Sequence, residues 1–237
     1  MAIRPVYFVA CDNKSLVSTE DFDFKWHPGL AVKQKQKSIE ELHGSVLKKY
    51  PHKKILEISS KSKNIHGNAL SAFNLVFRTN KYKDMISVET AFQSSKVFHN
   101  GGPYSDLLGK TSLEAKKDLR IRNSGNLLYF SFFGEKWSLT PQTAFYDWLY
   151  INALSQHSDL VEHIIQYDCF TDIEFNPEKS INCQAQSAAL FVAFYKADML
   201  KDALFSKDQY LSILAAFTKI RSDIAAPQRI LVQGSLI

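Results

Sequence analysis

The sequence has 237 residues, of which 45% are hydrophobic and 13% aromatic, with a formal net charge of +5. This is enough apolar material for a sizeable core, while the longest apolar run, near residues 188–194, is much shorter than the ~20 residues that a membrane-spanning helix needs. The cysteines Cys11, Cys169 and Cys183 form no CxxC pair, which argues against a disulfide framework or zinc ribbon and favours a reducing cytoplasm.

The first quarter of the chain is predicted to contain a strand pair and a helix. Residues 4–10 and 21–25 alternate enough to form two strands, which would pair across a polar turn. Ser38 opens a capping box, and the apolar spacing that follows predicts a helix over residues 38–50. We expect Pro51 to end this helix.

All of the excess positive charge lies in this quarter. Residues 1–66 contain 12 Lys or Arg against 7 Asp or Glu, whereas residues 67–237 contain 17 of each. Such a one-sided lysine cluster is typical of a surface that binds a polyanion such as nucleic acid, and lysine favours phosphate contact over base recognition. A lysine-rich face that contacts only water is the alternative.

The middle of the chain alternates between short strands and helices. Residues 54–60 alternate with the period of a strand, and residues 70–77 form a short apolar strand or loop. A helix that opens at Ser87 is expected to end before Gly101. Further on, Thr111 caps a short basic helix to about residue 122, and residues 127–133, apolar on both faces, suggest a buried strand or a tightly packed turn.

The last third is predicted to be helical. We expect helices from Thr140 to about residue 155, over residues 158–167 and 183–200, and from Ser206 to about residue 220, with no clear pattern from Ala225 onward. The fold class is therefore α+β: one mainly helical domain with a few strands. We divide this single folded unit into a basic N-terminal extension packed on the core (1–54), a catalytic core (55–200) and a C-terminal helix with its tail (201–237).

The most informative stretch is residues 87–98. On a helix, Glu89, Gln93 and Lys96 occupy positions i, i+4 and i+7 and share one face, while apolar or small residues cover much of the remainder. Unpaired polar groups on such a largely buried helix cost about 1–3 kcal/mol each, and a ligand pocket is one way to satisfy them. A solvated Glu–Lys pair on the outer face is the alternative.

Several familiar chemistries have no support in the sequence. There is no GxGxxG, GxxxxGK[ST], HExxH or GxSxG motif, and the seven histidines are scattered without ligand spacing. We therefore expect neither a cofactor nor a metal.

Two groups of residues resemble the NADAR family. The first group, together with the distal helical segment at residues 150–160, covers about residues 55–195. The first is the Leu-Ser-Ala-Phe-Asn segment at 70–74, followed by the Ser-Val-Glu-Thr-Ala-Phe-Gln-Ser-Ser-Lys-Val-Phe segment at 87–98. The second, found in residues 24–38 and 171–184, is similar to the subgroup of NADAR antitoxins that accompany DarT-type toxins.

The resemblance implies a NADAR-like fold and an ADP-ribosyl hydrolase. In this subgroup the toxin attaches ADP-ribose to guanine bases in DNA, and the antitoxin cleaves the N-glycosidic bond to remove it. The expected partners are ADP-ribosylated DNA, ADP-ribose as product and a DarT-type toxin, with no membrane contact and a cytoplasmic location. A non-catalytic ADP-ribose or DNA reader, a toxin-blocking module, and an N-glycosidase of riboflavin-pathway intermediates remain the alternatives.

N-glycosidic cleavage passes through an oxocarbenium-like transition state, which assigns roles to the shared face. Glu89 is the predicted charge stabiliser or general base, and Lys96 is the predicted nucleophile or proton donor. The predicted substrate-binding residues are Ser60, Lys61, Phe73, Asn74, Gln93, Trp148 and Glu174.

Overall fold

The computed structural model describes residues 1–12 and 15–222, and a four-stranded sheet joins its N-terminal part to its middle. β1 (Ala2–Asp12) pairs antiparallel with β2 (Ser15–Phe24), which confirms the predicted strand pair. β1 also pairs antiparallel with β9 (Cys169–Thr171), and β9 pairs parallel with β3 (Ile55–Glu57). The strand order is β2–β1–β9–β3, so the N-terminal hairpin supplies an inner strand.

The alternation of side chains along these strands divides the core between the two faces of the sheet. Val6 and Cys169 point to one face, where they pack with Leu42 of α1 (Val32–Lys49). Their neighbours Tyr7 and Phe170 point to the other face, because successive side chains of a strand alternate. That second face carries the larger core.

Two helices of unusually apolar composition fill the larger core. α6 (Ala144–Leu154) and α8 (Gln184–Lys196) pack against each other, and α8 also contacts β1 and β9. α6 in turn contacts α3 (Val88–Ser94), in which every residue is buried, as predicted for this helix. The layers therefore run from α1 through the sheet and α8 to α6 and α3.

Two smaller sheets complete the strand content. β6 (Lys96–Phe98), β7 (Leu127–Phe132) and β8 (Glu135–Trp137) form an antiparallel sheet, which confirms the strand expected at residues 127–133. The short strands β4 (Val76–Phe77) and β5 (Ile86–Ser87) pair just before α3.

Three predicted helix boundaries are wrong. α1 begins ahead of Ser38, whose buried hydroxyl accepts a hydrogen bond from the His27 backbone N–H at 3.0 Å and so does not cap the helix. α6 begins at Ala144 rather than at Thr140. α3 ends at Ser94 instead of continuing toward Gly101, because the chain turns at this point and Lys96 pairs with β7.

The remaining predicted helices are present, some divided into shorter pieces. The capping box at Thr111 is confirmed, with the Glu114 carboxylate accepting from the Thr111 backbone N–H at 2.9 Å. The expected tail from Ala225 lies outside the described residues. These helices are α4 (Ser112–Lys117), α5 (Leu119–Asn123), α7 (Ser158–Ile164) and α10 (Lys207–Ser222). Two short helices, α2 (Ile65–Ala69) and α9 (Leu200–Phe205), were not predicted.

The α+β fold class and the single, mainly helical domain are thus confirmed. In the part of the chain that the structure describes, no helix combines the length and the apolar character needed to cross a bilayer.

Two glycines on helices give a matched test of the packing. A Cβ on Gly67 in α2 would lie 2.2 Å from the Glu57 carbonyl oxygen, whereas a Cβ on Gly44 in α1 meets nothing within 4 Å. We expect Gly67→Ala to destabilise the protein by about 1–3 kcal/mol through overpacking. We expect Gly44→Ala to stabilise it by about 0.5–1 kcal/mol through helix propensity. Urea denaturation measures both, and equal effects would show that α2 does not abut the end of β3.

Candidate active site

Glu89 is a buried carboxylate in the first turn of α3. Ser87 caps this helix by accepting from the Thr90 backbone N–H at 3.0 Å, and the Glu89 backbone N–H donates to the Ala72 carbonyl at 2.9 Å. The Glu89 side chain is only 7% exposed, and its Oε1 accepts from Gln93 Nε2 at 2.9 Å. Two segments of the chain therefore fix the position of this carboxylate.

Lys96 reaches the same region from strand β6. Its Nζ lies 4.7 Å from the centre of the Phe92 ring. Burial lowers the pKa of Lys96 to about 8, an effect that the negative charge of Glu89 opposes and the positive charge of Lys116 strengthens. The prediction that one helical face carries both Glu89 and Lys96 is wrong, because the two groups converge from a helix and a strand.

Lys116 is a third charged group at this place, and sequence reasoning did not include it. Its Nζ lies 3.9 Å from Glu89 Oε1 and 4.9 Å from the centre of the Phe73 ring. Ser112, one helical turn earlier in α4, donates to the Phe73 carbonyl at 2.8 Å. This hydrogen bond holds α4 against the turn that carries Phe73. No spacing rule links residue 116 to residue 89; only the packing of α4 on α3 brings them together.

Two buried polar atoms beside Glu89 have no hydrogen-bond partner among the described residues. They are Gln93 Oε1 and Ser71 Oγ, on side chains of residues that are 6% and 1% exposed. A buried polar group without a partner costs about 1–3 kcal/mol. A ligand that donates a hydrogen bond to Gln93 would remove that cost, as predicted for a substrate-binding residue.

Asp172, which follows β9, is a second buried carboxyl group that sequence reasoning missed. Its Oδ1 accepts from the backbone N–H groups of Glu174 and Phe175 at 3.0 and 3.2 Å. Burial, and then the charge of Glu57, raise the pKa of Asp172. The only sequence signal was its place in the segment of residues 171–184.

Tyr146 of α6 is a buried tyrosine that interacts electrostatically with both carboxylates. Burial raises its pKa most, and the charges of Glu89 and Asp172 raise it further. Its ring packs edge-on against the Phe92 ring at 5.1 Å between ring centres, which places Tyr146 on the side of α6 that contacts α3.

Glu57, at the end of β3, binds the residues on either side of Asp172. It accepts from Thr171 Oγ1 at 2.6 Å and from the Ile173 backbone N–H at 2.8 Å. The Nε2 of His43 on α1 is 2.8 Å from the same Thr171 hydroxyl, and burial lowers the pKa of His43 to about 4. A neutral imidazole and a hydroxyl thus connect α1 to the end of the sheet.

Ser60 and Asn74, two predicted substrate-binding residues, come together through Asn68. The Asn68 side chain donates to the Ser60 carbonyl at 2.9 Å, and the Asn74 side chain donates to Asn68 Oδ1 at 2.8 Å. Lys61 follows directly and is half-buried, with its backbone N–H 3.2 Å from Ser59 Oγ. Ser60, Lys61 and Asn74 thus form a polar cluster after the end of β3, which we call the rim.

The last two predicted substrate-binding residues lie in different surroundings. Glu174 is exposed and pairs with Lys35 of α1, whose Nζ is 2.9 Å from the carboxylate. Trp148 packs against Trp137 at 5.0 Å between ring centres. It faces away from the side of α6 that carries Tyr146, so the structure does not bring Trp148 to Glu89.

Comparison with known proteins gives one match. The family model described as DarT1-associated NADAR antitoxin matches residues 2–223. No curated protein matches the chain.

The charge balance around Lys96 can be tested without substrate. Glu89→Gln should lower the pKa of Lys96 below its value of about 8, because the carboxylate stabilises the ammonium form. Lys116→Met should raise it, because a neighbouring positive charge is removed. A pH titration of the lysine methylene carbons by NMR measures both, with Lys201→Met as a control on the distant helix α9. If neither variant moves the Lys96 titration, the three groups do not share one site.

Proposed function

The chain belongs to the family of DarT1-associated NADAR antitoxins, and on this premise we propose that it is an ADP-ribosyl hydrolase. The substrate is ADP-ribosylated guanine in DNA, and the reaction cleaves the N-glycosidic bond between the base and the distal ribose. The observation that supports this most is the buried Glu89 facing a Lys96 whose pKa is lowered to about 8. This arrangement holds a carboxylate and a reactive amine beside unsatisfied polar atoms.

The carboxylate of Glu89 suits the charge that develops in the reaction. Cleavage at an anomeric carbon builds positive charge on the sugar ring, and a fixed carboxylate close to that carbon stabilises it. The hydrogen bond from Gln93 leaves the second carboxylate oxygen to the substrate or to the attacking water. Glu89 therefore acts as charge stabiliser or general base.

Lys96 can act in either of two ways. In its neutral form, Nζ attacks C1 of the distal ribose while the bond to guanine breaks, and the electron pair leaves with the guanine nitrogen, which takes up a proton. Loss of a proton from the amine with opening of the ring yields an imine, which water hydrolyses to free ADP-ribose and the amine. In its charged form, Lys96 instead protonates the departing guanine while water attacks C1.

Asp172 is a candidate for the proton donor. Its pKa is raised, first by burial and then by the charge of Glu57, which favours the protonated carboxylic acid. A carboxylic acid that donates a proton to the leaving group is typical of glycosidic bond cleavage. We assign the general acid to Asp172 in the imine route, where Lys96 is the nucleophile.

The surrounding residues would hold the rest of the substrate. Gln93 Oε1 accepts from a ribose hydroxyl, and Phe73 packs on an apolar part of the nucleotide. We expect the pyrophosphate to contact the rim of Ser60, Lys61 and Asn74. Lys61 would pair with its negative charge, and Ser60 and Asn74 would offer polar side chains for hydrogen bonds.

The lysine-rich first quarter would approach the DNA phosphates. Lys35, Lys49, Lys53 and Lys63 form ion pairs with carboxylates of the protein, which leaves a smaller set of lysines for phosphate contact. We expect these remaining lysines to contact the phosphates of the DNA strand.

Substitution of the two central residues tests the assignment. Glu89→Gln and Lys96→Met should each lower turnover of a guanine-ADP-ribosylated oligonucleotide by about 10²–10⁴-fold, which is the usual contribution of a positioned acid or base. Lys201→Met is the control, and circular dichroism checks folding. Release of ADP-ribose identifies the enzyme; binding of the oligonucleotide without release would identify a reader instead. Borohydride reduction of the imine during turnover should attach the sugar to wild-type protein and not to Lys96→Met.

Salt dependence tests the contact with DNA phosphates. The KM for the modified oligonucleotide should rise steeply between 50 and 200 mM salt, because each phosphate contact releases a counterion. On logarithmic axes the affinity for a single strand falls with a slope of about −0.7 per contact. The KM for ADP-ribosylated guanosine, which lacks neighbouring phosphates, should change little. Equal salt dependence for the two substrates would contradict a role of the lysines in binding.

A further inference from the structure

A shallow groove of about 400 Å³ lies next to the candidate active site. Its floor is apolar, and Met85 and Leu113 are 44% and 51% exposed although both are large hydrophobic side chains. Lys110 stands at one end with the Thr111 and Ser112 backbone. The side chains that form the floor are Phe73, Val76, Met85, Ile86, Leu108 and Leu113.

The two segments that border the groove are strongly basic. Residues 78–85 and 110–117 together contain six Lys or Arg and two Asp or Glu. Of the two acids, Glu114 is held in the capping box of α4, where its carboxylate accepts from Thr111. Asp84 is exposed. Of the six basic residues, Lys110 lines the groove itself, whereas Lys81 donates to the Phe133 carbonyl. Apolar side chains beside a lysine match the chemistry of a nucleotide, which combines a flat base with a phosphate.

The groove is continuous with the site through two residues. Phe73 lines the groove. The Lys116 ammonium group that lies over the Phe73 ring is 3.9 Å from Glu89 Oε1. Thr90, which also lines the groove, directly follows Glu89 in α3. A chain that leaves the site past Phe73 therefore enters the groove.

We propose that the groove binds the nucleotide next to the modified guanine in a single-stranded DNA substrate. Its base packs on the part of the floor formed by Val76, Met85 and Leu113, and its phosphate contacts Lys110. This inference rests on the proposed function, because it names the part of the substrate that lies outside the reacting sugar. The groove makes the enzyme prefer ADP-ribosylated DNA over a free ADP-ribosylated nucleoside.

Two groove variants with matched controls test the proposal. Leu113→Asp and Lys110→Glu should each raise the KM for an ADP-ribosylated oligonucleotide by roughly tenfold, as expected for the loss of one base or phosphate contact. Their kcat/KM for ADP-ribosylated guanosine should stay at the wild-type value. The controls are Leu119→Asp and Lys201→Glu, because Leu119 is 68% exposed outside the groove and Lys201 is exposed on α9. Both controls should leave both substrates unaffected.

Each other outcome is informative. Equal losses on the two substrates would place part of ADP-ribose itself in the groove and overturn the proposal, as would wild-type behaviour of both groove variants. Fluorescence anisotropy measures binding of an unmodified single-stranded oligonucleotide, and it tests the groove independently of the proposed hydrolase activity. If wild-type protein cleaves neither substrate but the groove variants lose oligonucleotide binding, the groove assignment stands and the hydrolase does not.

Discussion

The side-chain amide of Gln184, at the start of α8, holds the candidate site together. Its oxygen accepts from the Ala72 backbone N–H at 2.7 Å, and its nitrogen donates to the Asp172 carboxyl group. Ala72 in turn accepts from the backbone N–H of Glu89 at 2.9 Å. One amide thereby sets the relative positions of two acids that come from distant parts of the sequence. The relative positions of these two acids therefore depend on Gln184.

Much of the fold follows from local patterns, and the exceptions have physical causes. The alternation in β1 and β2 and the capping box at Thr111 identify their elements correctly, because these signals are local. The pattern around Ser38 is equally good as a capping box, yet the His27 N–H occupies that hydroxyl. β9, only three residues long, was not predicted, because nothing within Cys169–Thr171 distinguishes a strand from a turn without its neighbours β1 and β3.

The same distinction applies to the site. The sequence places Glu89 and Gln93 one helical turn apart, and the structure has them hydrogen-bonded in that geometry. It does not show that the helix stops before Lys96, because the residues between are compatible with either state, and pairing with β7 decides. Lys116 could not be found from spacing, since tertiary packing alone brings it to Glu89. The burial of Asp172 also depends on tertiary packing and follows from no local pattern. The helical pattern also placed Trp148 in α6 without showing which side of that helix it occupies.

The parallel pairing of β3 with β9 also bears on how the chain matures during synthesis. Glu57 accepts from the backbone of Ile173, and His43 contacts Thr171. Segments that are synthesised early therefore form these contacts only after the much later strand β9 has been synthesised. Contacts of such long sequence separation form slowly, because a large loop must close before they are gained. The surroundings of Asp172 therefore cannot form until the chain has been synthesised beyond β9.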